Sequence, residues 1–421
     1  MLDKKMVPEI RFKGFKEEWK EFKLDNLYSF LKGSNISQNS FYKSDDNRAI
    51  AYGHLYTTYG PVIFEVNLSS NEITPLESRT NDLLFPGSST VPCGTAQSNA
   101  IMIDGVKLGG DIICARPIKN NVDSQFLSYQ INSHKYKLYP LISGTTISHM
   151  YGSGLKTTKW EFPCLSEQVK ISEFFNKLED ITKSQKSKLE KLQTIKQSLL
   201  DKMFTSCDQK IPEIRFKGFD KKWSEKCIDE LFSSITDFTA AGSFADMRNN
   251  VTYYNKPNYA QLIRITDLKN EFKNANSVYV DKHAYDFLWR VQLNKECIVI
   301  SNIGNWGEAF YIDPNKLPWE FNALAPNAIM LYTSSNSHKF LLNAIKTFNF
   351  QNILKNIISP NGQTKFNKTE FKELNLIVPT FDEQQKIGQF FSNLDSLIHS
   401  QEQKLEKLNN IKQALLEKMF C

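Results

Sequence analysis

The chain is written twice, and any fold proposed for it has to house both copies. Val7-Pro8-Glu9-Ile10-Arg11-Phe12-Lys13-Gly14-Phe15 returns as Ile211-Pro212-Glu213-Ile214-Arg215-Phe216-Lys217-Gly218-Phe219, and Trp19 is answered by Trp223. A second matched pair closes each copy. Lys188-Leu189-Glu190-Lys191-Leu192 and Ile195-Lys196-Gln197 through Met203-Phe204 recur as Lys404-Leu405-Glu406-Lys407-Leu408 and Ile411-Lys412-Gln413 through Met419-Phe420. The long stretches between these ends barely resemble each other. A length of 421 residues suits two such halves. A repeated frame around contents that differ suggests one job done on two different targets.

Residues 166–204 contain neither Pro nor Gly, and 382–420 contain only Gly388, so each can form one long helix. Apolar residues recur every seven positions, with one Gln in each series. The first seam is Ile171, Leu178, Gln185, Leu192 and Leu199, and the second is Ile387, Leu394, Gln401, Leu408 and Leu415. Companion seams run through Phe174, Ile181 and Ile195, and through Phe390, Leu397 and Ile411. This is the pattern of a left-handed coiled coil. Pro163 and Pro379 close the preceding segments, and Ser166 and Asp382 are the expected N-caps, with Asp382 and Gln385 forming a capping box. Each helix would be roughly 58 Å long at about 1.5 Å per residue. Chain direction favours an antiparallel pair, in which Gln185 and Gln401 either meet and set the register or are merely tolerated in the seam.

The variable segments mix short apolar runs, such as Pro61–Val66, Asp111–Ala115 and Cys297–Ile300, with helical stretches near 124–130 and 339–345. This reads as an α+β domain, occurring twice. Faint correspondences support one fold for both: Ala49–Leu55 can be laid on Leu262–Leu268, Leu83–Ser88 on Cys297–Asn302, and Ser143-Gly144-Thr145-Thr146 on Asn361-Gly362-Gln363-Thr364.

A hydrophobic fraction of 41% is enough for real cores, and a net charge of +6 is compatible with an anionic partner without establishing one. The seven cysteines have no shared spacing and no Cys-x-x-Cys pair, as expected of reduced cytosolic thiols and of no zinc site. No apolar leader and no long apolar run occurs, so neither export nor a membrane span is expected. A phosphate loop, a Gly-rich nucleotide turn, His-Glu-x-x-His and Gly-x-Ser-x-Gly are all missing, and no metal-ligand spacing appears. Catalysis on this chain is not expected.

The layout resembles the DNA-specificity subunit of type I restriction–modification enzymes. Leu165-Ser166-Glu167-Gln168-Val169-Lys170-Ile171 and Phe381-Asp382-Glu383-Gln384-Gln385-Lys386-Ile387, each with its upstream proline, are similar to the family's Pro-x-x-x-Glu-Gln-x-x-Ile helix entry. The two Pro-Glu-Ile-Arg-Phe-Lys-Gly-Phe segments resemble the start of its target-recognition domains. Ser143-Gly144-Thr145-Thr146 resembles its Ser-Gly-Thr-Thr turn, from which the second copy departs. The resemblance implies two pseudo-two-fold-related α+β target-recognition domains separated by two long antiparallel coiled-coil helices. Residues 1–164 would be the first domain, 165–204 the first helix, 205–380 a linker and the second domain, and 381–421 the second helix. It further implies a non-catalytic cytoplasmic reader of double-stranded DNA. Each domain would bind half of a bipartite asymmetric site, while the helices dock two methyltransferase subunits and restriction/translocase subunits join them. S-adenosylmethionine, ATP and magnesium would be bound by those partners, with no cofactor on this chain.

Base readout uses Arg or Lys on guanine and Asn or Gln on adenine, while Ser, Thr and backbone donors serve phosphates. By residue type and loop position the candidates are Arg48, Tyr52, His54, Ser88, Ser89, Thr90, Thr145 and Thr146 in the first domain. In the second they are Arg264, Asn302, Asn305, Trp306, Gln363 and Thr364. Arg264 is expected in an alternating strand, where a plain solvent-facing role competes with base reading. For the others the alternatives are a solvated loop residue or, for Tyr52 and Trp306, a core aromatic. Lys156, Lys159, Lys365 and Lys368 suit phosphate contacts or solubility. Without the resemblance, heptads and mild charge also permit a coiled-coil protein–protein adaptor that binds no DNA.

Overall fold

In the computed structural model, which describes residues 6–34, 36, 38–91, 93–205, 209–273, 276–359 and 364–421, the repeated frame closes on itself in each copy. Strand Lys20–Lys23, directly after Trp19, pairs antiparallel with Lys159–Phe162, directly before the first long helix. Ser224–Cys227, directly after Trp223, pairs in the same way with Asn375–Val378, just before the second. The long helices are Leu165–Met203 and Phe381–Lys418. The chain divides within them, into a unit of Met1–Ser187 with Gln403–Cys421 and a unit of Lys188–Glu402. Each unit holds one variable domain and a segment of both helices. No helix among the described residues is long and apolar enough to cross a membrane. None of the six described cysteines is in a disulfide, and Cys207 lies outside the described residues.

Within each unit the motif that opens the repeat and the entry to its long helix are each other's partners. In the first, Arg11 Nε and an Nη donate at 2.7 Å to the two oxygens of Glu167, and the same Nη donates to Glu17 O. In the second, Arg215 grips Glu383 at 2.6 and 2.7 Å and donates to Lys221 O. The carboxylates are 0% and 1% exposed, so each depends on its fork for compensation. Phe12 lies edge-on to Phe174, and Phe216 edge-on to Phe390, at 5.7 and 5.8 Å. Lys170 and Lys386 sit over the paired phenylalanines of the same segments. The neighbouring glutamines reach into the domain. Gln168 donates to Pro163 O and accepts from Asp123 N, while Gln384 donates to Pro379 O and accepts from Ser337 N. Asp123 and Ser337 are the N-caps of the helices Ser124–Ser133 and His338–Lys346.

The opening segments also cap helix ends: Ile10 N donates to Lys418 O in one unit and Ile214 N to Lys202 O in the other. Trp19 packs on Phe126 and Phe420, and Trp223 on Phe204 and Phe340. This is why the Trp and the terminal Met-Phe are repeated together. The helix caps lie two residues before the expected Ser166 and Asp382. Gln168 N and Gln384 N bond to Cys164 O and Thr380 O, which places Ser166 and Asp382 in the first turn, not at the cap.

Helix segments run antiparallel in each unit. Phe175 stacks on Phe420 while Glu179 pairs with Lys412 in the first; Phe204 meets Phe391 while Lys196 pairs with Asp395 at 2.5 Å in the second. Of the expected seams, Ile171, Leu178, Ile387 and Gln401 are buried, and Gln185, Leu192, Leu199, Leu394, Leu408 and Leu415 are half-buried. The companion seams are displaced by one residue. Ile181, Ile195, Leu397 and Ile411 are 42–50% exposed, and the inner row instead runs Phe175, Thr182, Leu189, Lys196, Met203 and Phe391, Ile398, Leu405, Lys412, Met419. The two lysines hold this row because their stems pack inward while the ammonium reaches a carboxylate.

The domain cores explain the apolar runs. In the first unit the sheet order is Tyr28–Lys32, Ile112–Pro117, Asp82–Pro86, Asn99–Ile101, Val62–Ile63, antiparallel except for the last pair. Central Asp82–Pro86 is covered on both faces: Leu83 and Phe85 enter one core, Leu84 another. Cys297–Ser301 does the same in the second unit, with Ile298 and Ile300 on one side and Cys297 and Val299 on the other. It lies in an antiparallel sheet ordered Ser234–Asp237, Ala328–Tyr332, Cys297–Ser301, Ala309–Ile312. The weak match of Ala49–Leu55 to Leu262–Leu268 is structural. Ala49–Ile50 leads into helix Tyr52–Thr57 and Ala260–Ile263 into helix Ile265–Lys269, each strand parallel to a later one.

Replacing Arg215 by Ala leaves Glu383 buried and uncompensated, a change that typically costs about 3–5 kcal/mol. Calorimetry is expected to show a markedly lower Tm, whereas Lys222→Ala, on the surface of the same unit, leaves it in place.

Candidate nucleic-acid interface

In both units the chain leaving the central strand meets the segment that precedes the last strand. After Asp82–Pro86, Gly87 lies so close to Asp111 that a Cβ would come 2.8 Å from its carbonyl oxygen. Ser88–Ser89 then pairs antiparallel with Ser148–His149. Mutual backbone bonds between Ser143 and His149, at 3.0 and 2.7 Å, close the loop between them. Gly144 adopts φ +95°, and a Cβ there would lie 2.1 Å from Ile147 O, so the turn requires glycine. Thr145 and Thr146 are thereby held at an exposed tip, and Thr90 is exposed beside the pairing strand.

Ser88 and Ser89 are not at that surface. They are 4% and 1% exposed. Ser88 Oγ donates to Asp111 at 3.0 Å, and Ser89 Oγ bonds both N–H and carbonyl of Val91. They shape the loop. The helix Tyr52–Thr57 packs beside the same strands. His54 Nδ1 accepts from Ala51 N at 3.1 Å and its ring is edge-on to Phe41, so this imidazole caps its own helix. Tyr52 lies near Tyr56, and Arg48 is half-buried with its carbonyl bonded to Lys107 N.

In the second unit Ile303 bridges to Lys365, Gly304 N donates to Thr364 O, and Thr364 Oγ1 returns a bond to Gly304 O. Ser301 Oγ holds the Asn305 carbonyl across the turn. Asn305 and Thr364 are exposed and together, while Trp306 is half-buried against the core. Asn302 is half-buried, with Oδ1 unpaired among the described residues. Gln363 lies outside the described residues.

Arg264 departs from its expected place. The strand ends at Ile263, and Arg264 is the residue before helix Ile265–Lys269. Its guanidinium is bidentate to Asp267 at 2.9 and 2.6 Å, and one Nη also donates to Asn276 O. Asp267, 1% exposed, accepts the Arg264 N–H as well. The ion pair that closes this capping box was written in the spacing of Arg264 and Asp267, but its meaning needed the helix start.

An open cavity of about 580 Å³ adjoins this turn and brings Arg264 and Asn305 together with Tyr253, Asn255, Lys269 and Asn327. A second groove of about 620 Å³ carries Trp289, Arg290, Lys295, Tyr332, Lys368 and Lys372. Arg290 stacks on the 63%-exposed Trp289, and Lys295 lies over Tyr332. Sequence reading missed Tyr253, Asn255, Trp289 and Arg290; only the aromatic and amide density of Tyr253-Tyr254-Asn255 hinted at them. Of the lysines singled out, Lys159 pairs with Glu21, Lys368 with Asp237, and Lys156 sits over Phe30; Lys365 is exposed.

The sequence pattern described as the type I restriction modification DNA specificity domain matches residues 16–194 and again 220–410. The chain therefore belongs to the type I restriction–modification DNA specificity family, in which it carries two copies of the domain. Over 104 residues it is 30% identical to the putative type I restriction enzyme MjaX specificity subunit of Methanocaldococcus jannaschii, a match spanning 24% of this chain and 24% of that relative. The fold is similar to the crystal structure of a type I restriction–modification system S subunit from M. genitalium, with a TM-score of 0.63, 17% identity and 99% of both chains covered. It is also similar to a chain from a study of complex assembly and conformational transition of the type I R-M system, with a TM-score of 0.50, 14% identity and 96% and 98% covered.

Burial holds the His54 and His338 imidazoles below the ordinary value of about 6.5. Both accept a backbone N–H, His338 from Thr333, and protonation would cost that acceptor. Their contribution is complete above about pH 6.5 and is lost as pH falls, because the unfolded chain binds the proton first. Urea midpoints are expected to drop between pH 7.5 and 5.5, and to drop less when both are replaced by Gln.

Proposed function

We propose that this chain is the DNA-reading subunit of a type I restriction–modification complex, without catalysis of its own, working in the cytoplasm. Residues 1–164 are the first target-recognition domain and 205–380 a linker with the second, and each domain reads one half of a bipartite, asymmetric double-stranded site. The observation that carries this reading is the equivalence of the two turn edges. Ser88–Ser89 with Ser148–His149, and Ile303 with Lys365, occupy the same topological place in the two units. Their tips differ in chemistry: hydroxyls at Thr90, Thr145 and Thr146, amide and hydroxyl at Asn305 and Thr364. A shared scaffold with unlike tips suits a reader of two unlike sequences. Arg48, Tyr52, Asn302 and Trp306 serve as secondary contacts, Gln363 is a further candidate by residue type and sequence position, and the segments 165–204 and 381–421 set the spacing between half-sites.

The outward apolar row of the helices supports docking of methyltransferase subunits, with restriction/translocase subunits joining them. In the first unit Ile181 and Ile411 flank the Glu179–Lys412 ion pair; in the second, Ile195 and Leu397 flank Lys196–Asp395. Each unit thus offers an equivalent apolar patch, as two copies of one partner would require. S-adenosylmethionine, ATP and magnesium are then the partners' ligands.

Methylome sequencing of cells expressing the chain with its methyltransferase subunits tests the reading. A bipartite methylated motif is expected; Thr145→Ala with Thr146→Ala should relax one half only, and Thr364→Ala the other. Absence of any sequence-specific methylation, or variants that alter neither half, would count against it. Separately, Ile181→Asp with Ile411→Asp should reduce co-purification of methyltransferase at least tenfold while leaving the Tm of the isolated chain within a few degrees. Undiminished co-purification would remove the helices from the docking surface.

A further inference from the structure

We propose that the 580 Å³ cavity of the second unit is a base-edge pocket, in which Asn255 and Asn305 read adenine and the apolar floor receives the methyl group of thymine. This rests on the DNA-reading function proposed above and assigns it to particular atoms. Five separate stretches of chain meet at the cavity: 253–255, 262–269, Val278, 301–305 and 325–327. Leu262, Ile265 and Ile303 form its apolar floor. The strand Ala260–Ile263 is buried along its whole length, so the floor rests on core and not on a mobile loop.

The charges at the rim favour a neutral ligand over a phosphate. Arg264 is committed to Asp267 and Asn276, and Lys269 is paired with Glu308 at 2.7 Å. Among the described residues that line the cavity, a phosphate would find no cation released from a carboxylate. The contrast is the second groove, where Arg290 and Lys295 pair with no carboxylate among the described residues. Asn255 and Asn305, by comparison, are exposed, and their side-chain amides have no hydrogen-bond partner among the described residues. An amide offers one donor and one acceptor side by side, which matches adenine N7 and N6–H in the major groove, while thymine adds a methyl that an apolar surface accepts. The Asn305 turn is fixed in advance by Ser301 Oγ and by the bridge to Lys365, so little ordering is left to binding. The first unit differs at the equivalent turn: Ala51 stands where Arg264 does, and its edge carries hydroxyls.

The test uses the chain assembled with its methyltransferase subunits and a duplex carrying the methylome-defined site. Uracil replaces each thymine in turn, which removes only the methyl group. Binding is expected to fall about fourfold at one or more positions, all within one half-site, as for loss of one buried methyl. Ile265→Ala should abolish that difference between thymine and uracil. Asn255→Ala and Asn305→Ala should each lower discrimination at an adenine of the same half-site by roughly 5- to 150-fold, with unchanged Tm and unchanged readout of the other half. The proposal is overturned if no thymine position in that half responds, or if the Asn variants weaken random and specific duplexes alike, as phosphate contacts would. It is equally overturned if that half-site contains no A·T pair. In those cases the chain still reads DNA, provided specific binding persists and Thr145→Ala with Thr146→Ala alters the other half. A complex that binds no duplex specifically refutes the DNA-reading function itself.

Discussion

Each half of the molecule depends on a buried arginine–carboxylate pair. Arg11 with Glu167, and Arg215 with Glu383, join the opening motif of a repeat to the entry of its long helix. A carboxylate with essentially no exposure is tolerable only when fully hydrogen-bonded, and the guanidinium fork meets both oxygens at once. The adjacent Gln168 or Gln384 then holds the domain's own helix by its N-cap residue. Two consecutive side chains, Glu and Gln, therefore connect opening segment, long helix and variable domain. The aromatic contacts of Phe12 and Phe216, Trp19 and Trp223 surround this junction.

Anchoring by the frame leaves the turn edges out of the stability problem. The residues that hold the halves together lie at the ends of each repeat, while Thr145, Thr146, Asn305 and Thr364 protrude from turns defined by backbone bonds and by Gly144. Substitution at such tips changes what is presented without disturbing the core. The same arrangement accounts for a chain whose two frames agree closely and whose contents do not. Divergence accumulates where the frame makes no demand.

Several local readings failed for one common reason. Phe174, Ile181 and Ile195 are apolar at the right interval, yet the inner row is the one beside them, which includes Thr182 and Lys196. A seven-residue period identifies a seam but does not distinguish two adjacent rows when one is apolar yet faces outward and the other contains lysines whose stems pack inward. Ser88 and Ser89 look like phosphate ligands by type, but the close approach at Gly87 folds them inward. Arg264 continues the alternation of its strand in writing, while Asp267 three residues on ends the strand and captures the guanidinium. In the first two cases a contact outside the local window decided; in the third the deciding residue was local, but its role depended on where the helix starts.

By itself the sequence determined the duplication, the two long helices, the α+β character of both domains and the family, because these are written as periodicity and as motifs that recur. It also named the partners in the frame, though without pairing them. The tertiary structure alone decided that Arg11 belongs to Glu167, that Asn255 and Asn305 share a cavity with Arg264, and which apolar row of each helix faces outward. The reason is physical. Periodicity reports how a residue relates to its neighbours along the chain, whereas burial, ion pairing and cavity walls depend on segments brought together from far apart in it.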